Sequence, residues 1–165
     1  MFRQSAITDL KGILEDCGVT LDLSLATDLS YAFAYGHHKY LPKISVISAE
    51  TKLQYMCGEQ DTSNRLIWID EVEVAETNTF QGSFNYNKKL EHVIFTGTLA
   101  TNGLDLHWSN LDQESVDSIV NVLQDRVALG LSGTNTVTIS ADSDAKLSDA
   151  QKATISQKGW SVAIL

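Results

Sequence analysis

Four histidines, two cysteines and one acidic run carry the side chains with the right types for chemistry. His37 and His38 invite a metal, but adjacent residues in a loop point apart. The chain also has neither His-Glu-x-x-His nor paired Cys-x-x-Cys to complete a ligand set. His92 and His107 stand alone and read as solvated or hydrogen-bonded imidazoles. Asp70, Glu71, Glu73 and Glu76 share one segment and bring the oxygen chemistry that calcium prefers. Without the ordered oxygen loop of an EF-hand they read as a solvated acidic face. Cys17 and Cys57 are too few for a disulfide framework, and Cys57 falls where Phe33 and Phe84 stand in a repeat, as a small buried hydrophobe would. No Gly-x-Ser-x-Gly elbow, Walker loop or dinucleotide fingerprint occurs. The expectation is a protein that is not an enzyme, with no catalytic residues, no metal and no cofactor. A hydrolase would instead need a pocket holding a nucleophile or paired carboxylates of shifted pKa.

Recognition chemistry needs side chains lined up on a surface, and a repeat supplies that. Leu29, Phe33, Leu41 and Ile44 are followed by Leu53, Cys57, Leu66 and Ile69, then by Phe80, Phe84, Leu90 and Val93. Ser24, Thr27, Leu29 and Tyr31 match Ser48, Thr51, Leu53 and Tyr55 at a shift of 24, and the copy from Val74 to Phe84 keeps the frame at 27. A period in this range marks turns stacked so that each buries its apolar edge against the next. The spacing predicts short strands at Leu41–Ile47, Leu66–Val72 and Leu90–Phe95, with a turn or short helix at Ser30–Tyr35 and its equivalents on the opposite side. The polar loops around His37 and from Gly58 to Asn64 absorb the length differences. In a Leu-x-x-Ile strand the x residues face outward. Taking the leucines as equivalent aligns Lys43, Trp68 and His92 in one column, and Ser45, Asp70 and Ile94 in the next. An outward Trp between a cation and an imidazole is an anchor for protein or glycan contacts, unless it packs beneath a loop. Tyr35, Tyr40 and Tyr86 lie near the loop tips as a second edge, or as a shield for the convex side.

Both ends must cover a stack of this kind. Ser5 to Cys17 reads as an amphipathic helix with Ile7, Leu10, Ile13 and Leu14 on one face, Ser5 or Thr8 as N-cap and Gly18 beyond its end. After Gly97 the pattern changes: a last strand at Leu104-Asp105-Leu106, then a helix opened by Asp112 with Val116, Ile119, Val120 and Leu123 inward. Thr136–Ser140 reads as a strand, Ser148-x-x-Gln151 as a capping box for a helix ended by Gly159, and Trp160–Leu165 as the final strand. The division expected is a capping helix over 1–19, a solenoid over 20–109 and an α/β cap over 110–165, as one structural unit.

At 165 residues, 43% hydrophobic and 20% charged, the composition is that of a globular chain. A net charge of −9 would repel phosphate backbones, so nucleic acid is not an expected partner. No apolar run reaches membrane-span length, and no signal peptide is recognisable behind Met1-Phe2-Arg3-Gln4.

The Leu-x-x-x-Phe, polar loop, Leu-x-x-Ile pattern resembles BspA-type leucine-rich repeats of bacterial surface proteins. The closing segments Leu111–Val116 and Lys158–Val162 resemble the C-terminal region of such proteins, which also occur in phage tail-associated reading frames. The resemblance spans about residues 20 to 165. It implies a right-handed solenoid with α/β character, a cell-surface, secreted or virion-associated setting, and an interaction role without catalytic residues. The chain departs from consensus leucine-rich repeats in lacking their asparagine ladder and in having few repeats. Two functions are expected from these readings. One is a non-catalytic module that recognises a protein or carbohydrate through its strand face. The other is a structural subunit of a phage tail or surface assembly, for which a homo-oligomer is the natural state.

Overall fold

A computed structural model of the chain describes residues 3, 6–23, 25–45, 51–58, 65–76 and 78–165. Ser5, Ser24, Ser48, Ile47 and the stretch 59–64, all used in the sequence reading, lie outside the described residues. The element order begins with α1 (Leu10–Asp16), β1 (Tyr40–Leu41), β2 (Ile44–Ser45), β3 (Trp68–Val74) and β4 (His92–Gly97). It continues with β5 (Asp105–Leu106), α2 (Gln113–Val122), β6 (Asn135–Ile139), α3 (Ala141–Asp144), α4 (Asp149–Gln157) and β7 (Trp160–Ile164).

β1 and β2, interrupted at Pro42-Lys43, both pair in parallel with β3, which pairs in parallel with β4. Proline has no N–H to give a ladder, which is why one predicted strand becomes two short ones. Strands of this kind run parallel only if each is followed by a return path. That path also pairs from turn to turn: the Leu29 N–H donates to Lys52 O at 2.8 Å, Phe33 N–H to Met56 O at 2.9 Å and Cys57 N–H to Ser83 O at 2.9 Å. β5, β6 and β7 form a second parallel sheet in that order.

The register corrects the sequence alignment. Leu41 lies opposite Ile69, and Ile69 opposite Val93, so the first strand is offset by 28 residues from the second, not by 25. The residue 28 before Leu66 is His38, which is 2% exposed. A buried imidazole therefore takes the place held by Leu66 and Leu90 in the next copies, and a search for leucines slides the first copy by three. β3 also carries a bulge, because Ile69 and Val72 meet Val93 and Phe95. The extra residue turns Asp70 and Glu71 both toward the surface.

α1 is shorter than predicted. Its N-cap is Asp9, whose side chain accepts the Gly12 N–H at 2.7 Å, while the Thr8 carbonyl accepts from Lys39. A Cβ on Gly12 would sit 2.7 Å from Asp9 Oδ2, so a larger residue there would displace the capping carboxylate. Ile13, read as inward, is exposed. The C-terminal helices start where the sequence places them: Asp112 caps α2, and Ser148 and Gln151 complete both halves of the capping box of α4. The four-residue α3, capped by Ser140, escapes periodicity because it is too short to show any.

One continuous apolar cluster runs from Leu10 to Trp160, without a break near residue 110. Two lines of polar side chains thread the same interior. In the first, Thr51 donates to Ala26 O, Asn78 to Thr51 O, Thr101 to Asn78 O and Asn135 to Ala100 O. In the second, Asn87 donates to Cys57 O, Ser109 to Asn87 O and Ser140 to Ser109 O. Each turn thus bonds a carbonyl of the turn before it, which satisfies backbone acceptors that the return path leaves buried. These bonds come from two threonines, two serines and three asparagines.

Candidate functional site

The outward row of the first sheet is Tyr40, Trp68 and His92, one residue from each successive turn. Trp68 and His92 stack with ring centroids 3.6 Å apart and planes 9° from parallel. The Trp68 indole N–H donates to Asp70 Oδ1 at 2.7 Å, and the same oxygen accepts from Lys11 Nζ at 2.8 Å. Lys11 lies on α1 and also reaches Glu15 at 3.5 Å. On the other side, His92 Nδ1 is 2.7 Å from Asp112 Oδ2, while Asp112 Oδ1 accepts the Ser115 N–H as the cap of α2. A belt therefore crosses the sheet from one flanking helix to the other: Lys11, Asp70, Trp68, His92, Asp112.

Electrostatics favour the charged forms at both ends of this belt. The hydrogen bond to Asp70 holds the Lys11 amine above its ordinary value. Burial pushes Asp112 upward, but hydrogen bonds from Ser115 and His92 outweigh it and hold the carboxyl below its ordinary value. His92 itself is 4% exposed, and Trp68 is half-buried. The alternative for Trp68, packing under a loop, is met halfway: one ring face is covered by His92, and its edge borders a shallow hollow with Tyr40, Asp9 and Gly12.

Lys43 belongs elsewhere than the predicted column. With the 28-residue offset it lies level with Glu71, and its Nζ binds Glu71 at 2.8 Å and Glu73 at 3.6 Å. Thr96 Oγ1 donates to the same Glu71 oxygen at 2.5 Å. The bond to Glu71 raises the Lys43 pKa. Burial works upward on Glu71, and its bonds to Lys43 and Thr96 bring it below its ordinary value nonetheless. Ser45 is level with Glu73, and Thr96 completes that row. Asp70 is separated from Ile94 by the bulge and joins Trp68 instead; Ile94 lines a hollow beside α2 with Glu114 and Asp117. The six expected surface residues thus divide into Trp68, Asp70 and His92 in one network, Lys43 and Ser45 at a groove, and Ile94 apart. That groove, about 480 Å³, runs between the sheet and the segment after α1, with Lys11, Leu14, Leu21 and Pro42 in its walls.

Sequence reasoning missed Lys11, Tyr40, Glu71, Thr96 and Asp112 as members of this surface. Asp112 carries a cap signal, but nothing local announces its second partner 20 residues away. Of the other candidates, His37 is exposed and His38 is buried edge-on against Phe33. His107 Nδ1 pairs with Asp105 at 2.6 Å. Among the described residues no group of three or more His, Cys, Asp or Glu could hold a metal ion, and no helix is long and apolar enough to cross a membrane. The back of the molecule carries Tyr31, Tyr35, Tyr55 and Tyr86, all at positive φ between 54° and 61°. Tyr31 and Tyr55 stack at 5.2 Å, and Arg3 lies over Tyr31 and Tyr35.

In comparisons with protein-family models, curated proteins and solved structures, nothing matches the chain.

Proposed function

We propose that the chain is a non-catalytic binding module, a short right-handed solenoid of leucine-rich-repeat kind that meets a protein or carbohydrate through the outward face of its front strands. The observation that supports this most is the belt from Lys11 to Asp112. Its rings and carboxylates are fixed by one another across successive turns, so the surface is ordered before any partner arrives. Preorganisation of this sort reduces what a partner must supply to order the interface. The adjoining groove has the size of ordinary ligand sites and mixes apolar walls with the Lys43 ion pair. By the same resemblance, the setting proposed is a cell surface, secreted or virion-associated one.

A glycan array and a pull-down with wild type, Trp68→Ala and Lys43→Glu test the reading. Loss of a bound ligand in both variants, with circular dichroism unchanged, supports the front face as the site. Equal binding by all three removes that face from the account. The second reading, a structural subunit of a tail or surface assembly, predicts that the same two variants abolish self-association instead.

A further inference from the structure

The first sheet is covered at β1 and at β4. At β1 the Lys39 N–H donates to Thr8 O and Asp9 bridges Tyr40, and at β4 the Val93 and Phe95 N–H groups donate to Ser115 Oγ and Ser118 Oγ. β7 is different: among the described residues it pairs with β6 alone. In a parallel ladder the backbone groups of alternate residues face opposite edges. Gly159 O and Leu165 N are engaged with Asn135 and Ile139. The N–H and C=O groups of Trp160, Val162 and Ile164 therefore face the open edge.

The usual devices that blunt an open edge are charge, proline and bulges. None is present on β7, whose pairing with β6 is regular over five residues. The segments 127–141 and 159–165 contain no charged residue at all, in a chain that is 20% charged. Val127, Leu129 and Leu131 are exposed at the start of β7, where Arg126 N–H donates to Lys158 O and Gly159 faces Val127. Ile164 and Leu165 are exposed, at 51% and 73%, at its other end. The two bordering cations are turned onto carbonyls, Arg126 onto Ser132 O and Lys158 onto Val120 O.

We propose that β7 is a dimer edge, pairing antiparallel with β7 of a second copy about a two-fold axis at Val162. An antiparallel two-fold sets the start of one strand against the end of the other. It therefore brings Val127, Leu129 and Leu131 of each copy onto Ile164 and Leu165 of the other, apolar patch to apolar patch. A self-complementary arrangement is what a two-fold interface requires, and depletion of charge is what an interface core shows. This pairing is independent of the front-face reading and leaves Trp68 and Lys43 outside the contact.

Light scattering at roughly 100 μM protein, a concentration that populates any contact tighter than that, tests the proposal together with amide hydrogen exchange. The expected result is twice the 18.1 kDa chain mass, with slow exchange at Val162 and Ile164. The double variants Leu129→Glu/Ile164→Glu and Leu129→Lys/Ile164→Lys should each run at the single-chain mass with rapid exchange at both amides. Mixing the two should restore the doubled mass. A wild type that runs as a single chain overturns the proposal, including one whose Val162 and Ile164 amides are protected, which would place some other segment of chain on the edge. A dimer that survives both charge variants also overturns it.

Discussion

Asp112 serves two neighbours at once, and its two roles can be separated. One oxygen caps α2 and the other holds His92. Asp112→Ala removes both and should cost about 1–2 kcal/mol, the usual range for a lost N-cap, measured by urea denaturation. Asp112→Asn keeps the cap and removes the charge. Because the folded carboxyl titrates below its ordinary value, its contribution is present above the unfolded pKa and is lost as pH falls through the folded one. Wild type should therefore lose more stability than Asp112→Asn as pH is lowered below about 4, the ordinary carboxylate range; equal acid limbs would refute that role. Gly97 is a second decisive residue. At φ 87° a Cβ would stand 2.1 Å from Val74 O, so Gly97→Ala should destabilise by more than about 2 kcal/mol in the same assay. The back-side tyrosines accept the same left-handed strain without being glycine. Gly82 at φ 67° stands where the repeat frame of Tyr31 and Tyr55 would put a third, and the Tyr55 ring occupies the space a Cβ there would fill.

At the scale of elements, β4 meets a helix where the repeat would have supplied another strand. Ser115 and Ser118 lie three residues apart, so both hydroxyls fall on the face of α2 that covers the edge. Each accepts an N–H that would otherwise be buried without a partner. Ser115→Ala and Ser118→Ala should cost about 1–3 kcal/mol apiece, with faster amide exchange at Val93 and Phe95 respectively. Protection unchanged in both variants would count against the hydroxyls as edge partners. This joint was invisible in the sequence, where Ser115 and Ser118 merely flank the apolar positions Val116 and Ile119. The starts of α2 and α4 were legible, because their caps are written within three or four residues, whereas the cap of α1 and the whole of α3 were not. Strand positions were legible only to within two residues, and the relative offset of the first copy was not. His38 hides its equivalence with Leu66, and the bulge at Asp70-Glu71 is a property of pairing that no single strand declares.

Over the whole molecule, the belt from Lys11 to Asp112 was only half legible. Trp68, His92 and Asp70 could be nominated because they face outward from strands. Lys11 and Asp112 enter from flanking helices 59 and 20 residues away from their partners, a distance that only the completed packing determines. The interior polar lines were hidden for a further reason: threonine, serine and asparagine at irregular spacing resemble ordinary loop composition. Their bonds have a direction, since every donor side chain belongs to the later turn and every acceptor carbonyl to the earlier one. Shortening the chain from its two ends should therefore be unequal. Within these lines, loss of a later turn strands only carbonyls, which tolerate under-satisfaction better than amide donors do, while on the return path the N–H groups of Leu29, Phe33 and Cys57 lose their acceptors. Loss of an earlier turn leaves Thr51 or Asn78 with protons aimed at nothing. A nascent chain leaving the ribosome would hold each finished turn with its interior carbonyls and its return-path N–H groups both waiting for the next to arrive.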